Sequence, residues 1–194
     1  FRCGFVALVG RTNAGKSTLV NALCREKVSI TAPKPQTTRN RIRGIVNLPG
    51  RAQIILVDTP GVHLWRGKEL NCRMIDDALA AIGDADAVLH LVDATTALER
   101  GDGERRARTP ASPRAGSVPE SERVEENQRG VNEVDQVILE QLHARKPPTV
   151  LGLNKLDALR SRDAALPILE VFGKAYDYRD VIGLSARERG NLDA

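Results

Sequence analysis

Long hydrophobic runs are missing from this sequence. No apolar stretch in its 194 residues approaches the ~18 needed to cross a bilayer, so a membrane-spanning helix is excluded. An export signal is missing too. Phe1-Arg2-Cys3-Gly4-Phe5-Val6 shows no basic region leading into an apolar stretch and a small-residue cleavage site, so export is not expected. A start at Phe rather than Met reads as an excerpt of a longer protein. Cysteine is sparse: Cys3, Cys24 and Cys72 are odd in number and scattered, without metal-ligand spacing. They are expected to be reduced thiols in packing roles, as in the cytoplasm. Aromatic residues make up 3% of the chain, and no internal repeat is visible.

What is present is unevenly distributed. The formal charge is +4, which on its own says little. Yet ten of the 29 Lys and Arg, and only Glu26 of the 25 acids, fall in residues 1–51. That stretch carries +9 and the remainder −5, which suggests a polyanionic partner for the first segment. The length suits one domain with a real core.

Short runs rich in Val, Ile and Leu recur at Phe5–Val9, Ile42–Val46, Gln53–Val57, Ala87–Val92, Thr149–Leu153 and Val181–Leu184. Runs of this length suit strands buried on both faces of a largely parallel sheet. Helices are expected at Ser17–Cys24 and near 69–82, 131–144 and 162–174. Strands alternating with helices predict a doubly wound α/β domain. Glu99–Gly130 breaks the rhythm: it has seven Arg, seven acids and three Pro, but no Leu, Ile, Met or aromatic residue. So little apolar surface cannot offset the entropy of ordering. A passive surface insertion is the expected reading, with an Arg-rich binding arm as its alternative.

Gly10-Arg11-Thr12-Asn13-Ala14-Gly15-Lys16-Ser17 matches the phosphate-binding loop in full, between an apolar strand and a helix-prone stretch. Its glycines let backbone N–H groups turn toward phosphate, and the helix N-terminus adds partial positive charge. Asn13, Ala14, Gly15, Lys16, Ser17 and Thr18 are the expected phosphate contacts. Lys16 would reach the terminal phosphates and Ser17 would ligate Mg2+. Asp58-Thr59-Pro60-Gly61 follows the strand Gln53–Val57. Asp58 there can hold Mg2+ through water, and Gly61 can offer its N–H to the γ-phosphate. Asn154-Lys155-Leu156-Asp157 closes the strand Thr149–Leu153 and selects guanine. Asp157 accepts from guanine N1–H and the exocyclic amine, whereas adenine would leave a desolvated carboxylate unpaired. Asn154 can tie the base loop to the phosphate loop, and the Lys155 stem can cover a ring face. Ser185-Ala186 fits a second base-contact loop whose N–H meets guanine O6.

In this order the elements resemble the translation-factor-related GTPases, and so a three-layer P-loop NTPase domain with a mostly parallel central sheet. The stretch Lys27-Val28-Ser29-Ile30-Thr31-Ala32-Pro33-Lys34-Pro35-Gln36-Thr37-Thr38-Arg39, with Val62-His63 after Gly61, is similar to the Era family. Its relatives Der and MnmE carry an acid where this chain has Arg39. The resemblance spans nearly all of residues 1–194 apart from 99–130. It implies GTP and GDP as ligands, hydrolysis of GTP, and Mg2+ held by Ser17, Asp58 and one of Thr37 and Thr38, with Thr38 preferred. Lys16, Thr38, Asn13 and Gly61 would then form the catalytic set. Asn13 would help hold K+ beside the phosphates, an ion able to replace an arginine finger; a loop-shaping hydrogen bond is its plainer role. Val62 stands where many GTPases place a water-orienting Gln, so intrinsic hydrolysis should be slow. His63 is expected to be merely solvated, His90 a packed strand residue, and His143 a surface residue.

The resemblance also implies work in small-subunit assembly on 16S ribosomal RNA, mainly through a C-terminal KH domain that this sequence does not contain. It further implies a monomer in the cytoplasm, with peripheral contact at the inner membrane. The alternatives are a Der- or MnmE-like GTPase serving ribosomes or tRNA modification, and a nucleotide-dependent scaffold with negligible turnover.

Overall fold

The computed structural model describes residues 2–29, 31, 42–62, 78, 80–101 and 131–192. Six strands form one sheet in the order β2-β3-β1-β4-β5-β6. They are β1 (Arg2–Val9), β2 (Ile42–Leu48), β3 (Ala52–Asp58), β4 (Ala87–Asp93), β5 (Thr149–Asn154) and β6 (Asp180–Gly183). Every pairing is parallel except β2 with β3. Gly50, at φ 71°, turns the chain between those two strands, and such a short connection can only return antiparallel. As an edge strand, β2 leaves Arg43 and Ile45 exposed, and the Arg43 guanidinium lies 5.8 Å from the Phe5 ring centre. The expected alternation of strands and helices is therefore observed, in a fold with helices on both faces of the sheet.

Period-two alternation divides the core. On one face Leu8, Leu56, Leu91 and Leu184 pack with Leu19 and Val20 of α1 (Lys16–Cys24). On the other, Val9, Val88, Val92, Leu151 and Leu153 pack with helical residues 80–84, α3 (Glu133–Arg145) and α4 (Leu166–Ala175). Asn132 caps α3 by accepting from Val134 N and Asp135 N, which satisfies donors that a helix start leaves orphaned. Pro167 stands in the first turn of α4, where its missing N–H costs nothing.

Several expectations need correction. Cys3 is exposed rather than packed, and its thiol points at Gln53 Oε1 at 3.9 Å. Cys24 does pack, half-buried, and burial raises its thiol pKa. His143 is not a free surface residue: its Nε2 lies 2.9 Å from the Ala175 carbonyl, and its ring stands edge-on to Tyr176. His90 is fully buried as expected. A helix that periodicity did not predict, α2 (Ala94–Gly101), follows β4. The first three residues of the expected 99–130 insertion are therefore helical, and 102–130 lie outside the described residues. So do most of the helix expected at 69–82, and Cys72, His63, Thr37, Thr38 and Arg39. No helix among the described residues is long and apolar enough to cross a membrane.

A candidate nucleotide site at the strand ends

The phosphate-type loop joins β1 to α1, so α1 points its N-terminus at whatever the loop encloses. Two backbone positions permit the tight turn: Asn13 at φ 63° and Gly15 at φ 98°. A Cβ on Gly15 would sit 2.2 Å from Asn154 Nδ2, so glycine is required by close approach as well as by φ. Ala14 is buried, while Asn13 lies at the exposed tip and Thr18 on the first turn of α1. Ser17 follows Lys16 on that turn.

Lys16 is buried and folds back on its own loop, donating to the carbonyls of Gly10 (3.0 Å) and Arg11 (2.9 Å). Burial lowers its pKa from 10.5 to about 8, against the upward pull of Asp58 and, more weakly, Asp135. The ammonium is thus held in a desolvated place on neutral carbonyls, a partner set that an anionic phosphate would improve upon.

Asp58 ends β3 fully buried, and neither of its carboxylate oxygens has a hydrogen-bond partner among the described residues. A buried carboxylate without partners is costly unless a cation or ordered water completes it. The next residues are firmly held. Thr59 Oγ1 donates to the Leu8 carbonyl at 2.6 Å. Val62 N donates to Gly10 O at 3.2 Å, and Thr12 N to Val62 O at 3.3 Å. Gly61 passes so close to the phosphate loop that a Cβ would meet Thr12 Cα at 2.6 Å. Val62 therefore does more than lack the chemistry of Gln. It is a core residue, 1% exposed, whose backbone fastens the end of β3 to the phosphate loop.

The third part gathers at the end of β5. Asn154 Nδ2 donates to Ala14 O at 2.8 Å, and its Oδ1 accepts from Ala186 N at 2.9 Å. One buried amide thereby joins the base loop to the phosphate loop, the tie expected of it, and also to the Ser185-Ala186 loop, which was not anticipated. Asp157, in the one-turn helix Leu156–Ala158, accepts from Ser185 Oγ at 2.5 Å. Ser185 Oγ also accepts from Glu188 N at 3.1 Å, so the serine holds both loops in register. Lys155 adopts φ 67° and its Nζ donates to Asp93 Oδ2 at 2.6 Å.

Thirteen of the fourteen residues expected to form the site, all but Thr38, lie within the described part, at the ends of β3 and β5, in the segments that follow β1, β3, β5 and β6, and on the first turn of α1. Sequence reasoning missed Asp93. The available signal was its position: an acid ending an apolar strand, as Asp58 does, and paired in register with Asn154. Among the described residues an open groove of about 1200 Å3 lies elsewhere, at the other end of α1 beside Leu23, Val46, Ile54 and Leu192. It takes no part in the site.

Such a β1–α1 loop, a buried acid after β3 and an Asn-Lys-x-Asp turn after β5 place the molecule in the class of phosphate-loop, guanine-type nucleotide domains. A family profile described as "50S ribosome-binding GTPase" matches residues 5–155, and the chain belongs to that family. Within it the similarity is to proteins named GTPase Era. The chain is 38% identical over 192 residues to that of Marinobacter nauticus, covering 99% of this chain and 52% of the relative. It is 38% identical over 193 residues to that of Geobacter metallireducens, covering 100% and 53%. The chain thus spans about half the length of the curated relatives it matches. Among solved structures, an Aquifex aeolicus Era variant bound to GDP·AlF4− superposes with a TM-score of 0.74 at 29% identity, covering 100% of this chain and 54% of that one. Era in complex with MgGDPNP and a segment of 16S ribosomal RNA gives 0.71 at 30% identity, with coverage of 100% and 54%.

Proposed function

We propose that the chain is the nucleotide switch of an Era-type protein: it binds GTP with Mg2+, hydrolyses it to GDP and phosphate, and uses that cycle to time small-subunit assembly. The observation that carries the reading is the buried Asp58 carboxylate, with neither oxygen hydrogen-bonded among the described residues, beside a buried Lys16 that donates to the loop carbonyls of Gly10 and Arg11. Both groups lack what a magnesium–nucleotide would supply. Asp58, Ser17 and Thr38 would hold Mg2+, which when bound neutralises phosphate charge. Among the described residues no three His, Cys, Asp or Glu gather to cage a metal, so nucleotide phosphates would complete the ion's shell.

Lys16 would exchange the Gly10 and Arg11 carbonyls for phosphate oxygens and stabilise the charge that develops as water attacks the γ-phosphate in line. Gly61 would present its N–H to that phosphate without a side chain in the way. Thr18 and the Asn13–Ser17 backbone would cradle the remaining oxygens. Asp157 would read the guanine edge, the Ala186 N–H would meet O6, and the Lys155 stem would cover the ring. Asn13, exposed at the loop tip, would help hold K+.

The small subunit, rather than the 50S named in the family description, is the partner favoured here. The support is the solved complex of Era with a segment of 16S ribosomal RNA, which is 30% identical and matches all of this chain. The +9 segment fits phosphate contacts. In this reading residues 1–194 are one GTPase domain interrupted at 99–130. The RNA-binding KH domain lies elsewhere in the protein, which works as a cytoplasmic monomer with peripheral membrane contact.

A second reading, a nucleotide-dependent scaffold with negligible turnover, draws on Val62, which is packed into the core where a water-orienting Gln would stand. Single-turnover hydrolysis of GTP, in KCl against NaCl and with and without small ribosomal subunits, separates the two. The switch reading expects Mg2+-dependent turnover that K+ and subunits accelerate. Absence of turnover under all of these conditions overturns it in favour of the scaffold.

A further inference from the structure

The base loop's lysine is held by a residue that belongs to neither of the two base-contact loops. Asp93 ends β4 directly opposite Asn154 and is only 6% exposed. Its carboxylate is divided between two duties. Oδ1 accepts from Thr95 N at 3.0 Å and from Thr95 Oγ1 at 2.6 Å, starting α2. Oδ2 accepts from Lys155 Nζ at 2.6 Å.

This ion pair makes little sense as a stabiliser. Lys155 is 36% exposed, and pairs open to water contribute little because solvent screens them and ordering a long side chain costs entropy. What the bond does fix is direction. Lys155 has left-handed backbone, and its four-carbon stem would otherwise sample many rotamers over the base loop. An ammonium anchored on β4 stretches that stem along one path.

We propose that Asp93 is a positioning residue for nucleotide recognition: it holds Lys155 stretched so that its stem forms a preset cover for the flat face of a purine base. This rests on the reading of the site as a guanine-nucleotide site. It adds a source of affinity distinct from edge recognition by Asp157, since a cover over the ring is indifferent to the exocyclic amine. Pre-organisation of this kind acts by removing the ordering cost at binding, and so shows mainly in residence time.

The discriminating variant is Asp93→Asn. Its amide oxygen can still accept from Thr95, so α2 keeps its cap, but the NH2 group it presents to Lys155 is a donor facing a donor. The probes are GDP and IDP, which lacks the exocyclic amine, measured with Mg2+ by calorimetry and stopped-flow dissociation. Asp93→Asn is expected to weaken both by the same factor of about ten, mostly through faster dissociation, the scale of losing one stacking contact. Lys155→Met should weaken both similarly, and the double variant should bind no worse than Lys155→Met alone, the sign of one shared interaction. Thr95→Ala removes a donor to Asp93 Oδ1 but leaves Oδ2 to Lys155, so it should lower the melting temperature while costing clearly less affinity than Asp93→Asn. Asp93→Asn affinity equal to wild type, or losses that multiply in the double variant, overturns the proposal. A wild-type chain that binds no guanine nucleotide overturns the function reading itself, and this one with it.

Discussion

Asn154→Ala isolates the strut on which the site depends. The side chain is 2% exposed and makes two hydrogen bonds, to Ala14 O at 2.8 Å and from Ala186 N at 2.9 Å. Truncation leaves a buried carbonyl and a buried N–H without partners, each costing ~1–3 kcal/mol. A small void adds to that, so the loss should be about 3–5 kcal/mol. That is a large fraction of an ordinary domain's total stability. Urea unfolding of nucleotide-free protein, followed by far-UV circular dichroism, measures it directly. Asn154→Asp serves as a control: it keeps the acceptor for Ala186 N but sets a carboxylate against the Ala14 carbonyl, and should be at least as damaging. Nucleotide affinity should fall in both variants, because phosphate loop and base loop lose their common brace. A nucleotide-free loss below about 0.5 kcal/mol, a value typical of surface changes, would refute the claim that this amide joins three loops.

Three further outcomes follow from the same geometry. Burial lowers the Lys16 pKa from 10.5 to about 8, so between those values the unfolded chain binds more protons than the folded one, and nucleotide-free stability should rise as pH increases through that window. Phosphate would restore the charge, so GDP binding should take up a proton near pH 8 and weaken toward pH 9.5, and both effects should vanish in Lys16→Met. Asp58→Asn removes a buried carboxylate that no hydrogen bond among the described residues satisfies, and with it the attraction to Lys16. It should leave the nucleotide-free protein as stable as wild type or more so, while abolishing the gain in GTP affinity on adding Mg2+. Gly61→Ala places a methyl 2.6 Å from Thr12 Cα, where only backbone can yield. It should depress both melting temperature and GTP affinity, and a silent variant would contradict the close approach.

The site was legible because phosphate and guanine chemistry dictate residue types at strand ends, and the apolar runs Phe5–Val9, Gln53–Val57 and Thr149–Leu153 place those ends unambiguously. What escaped notice was held by single polar contacts that leave no period. Helix α2 begins with a carboxylate cap on Thr95, and at eight residues it is too short for Ala94, Ala97 and Leu98 to stand out as a periodic run. The antiparallel course of β2 is decided by the turn through Gly50, because its run of Ile and Val reads like any buried strand. Cys3 was expected to pack as a reduced thiol without metal-ligand spacing, yet it lies at the exposed start of β1, four residues before the first buried one, Ala7.

The central claim is that this site selects guanine through Asp157. Its most direct test is the affinity of the chain for GDP, ADP and XDP, measured side by side for wild type and Asp157→Asn. Wild type should bind GDP far more tightly than ADP or XDP, and the variant should exchange that preference for XDP, whose 2-oxo group accepts what the new amide donates. Equal binding of ADP and GDP by wild type, or a variant that still prefers GDP, would contradict it.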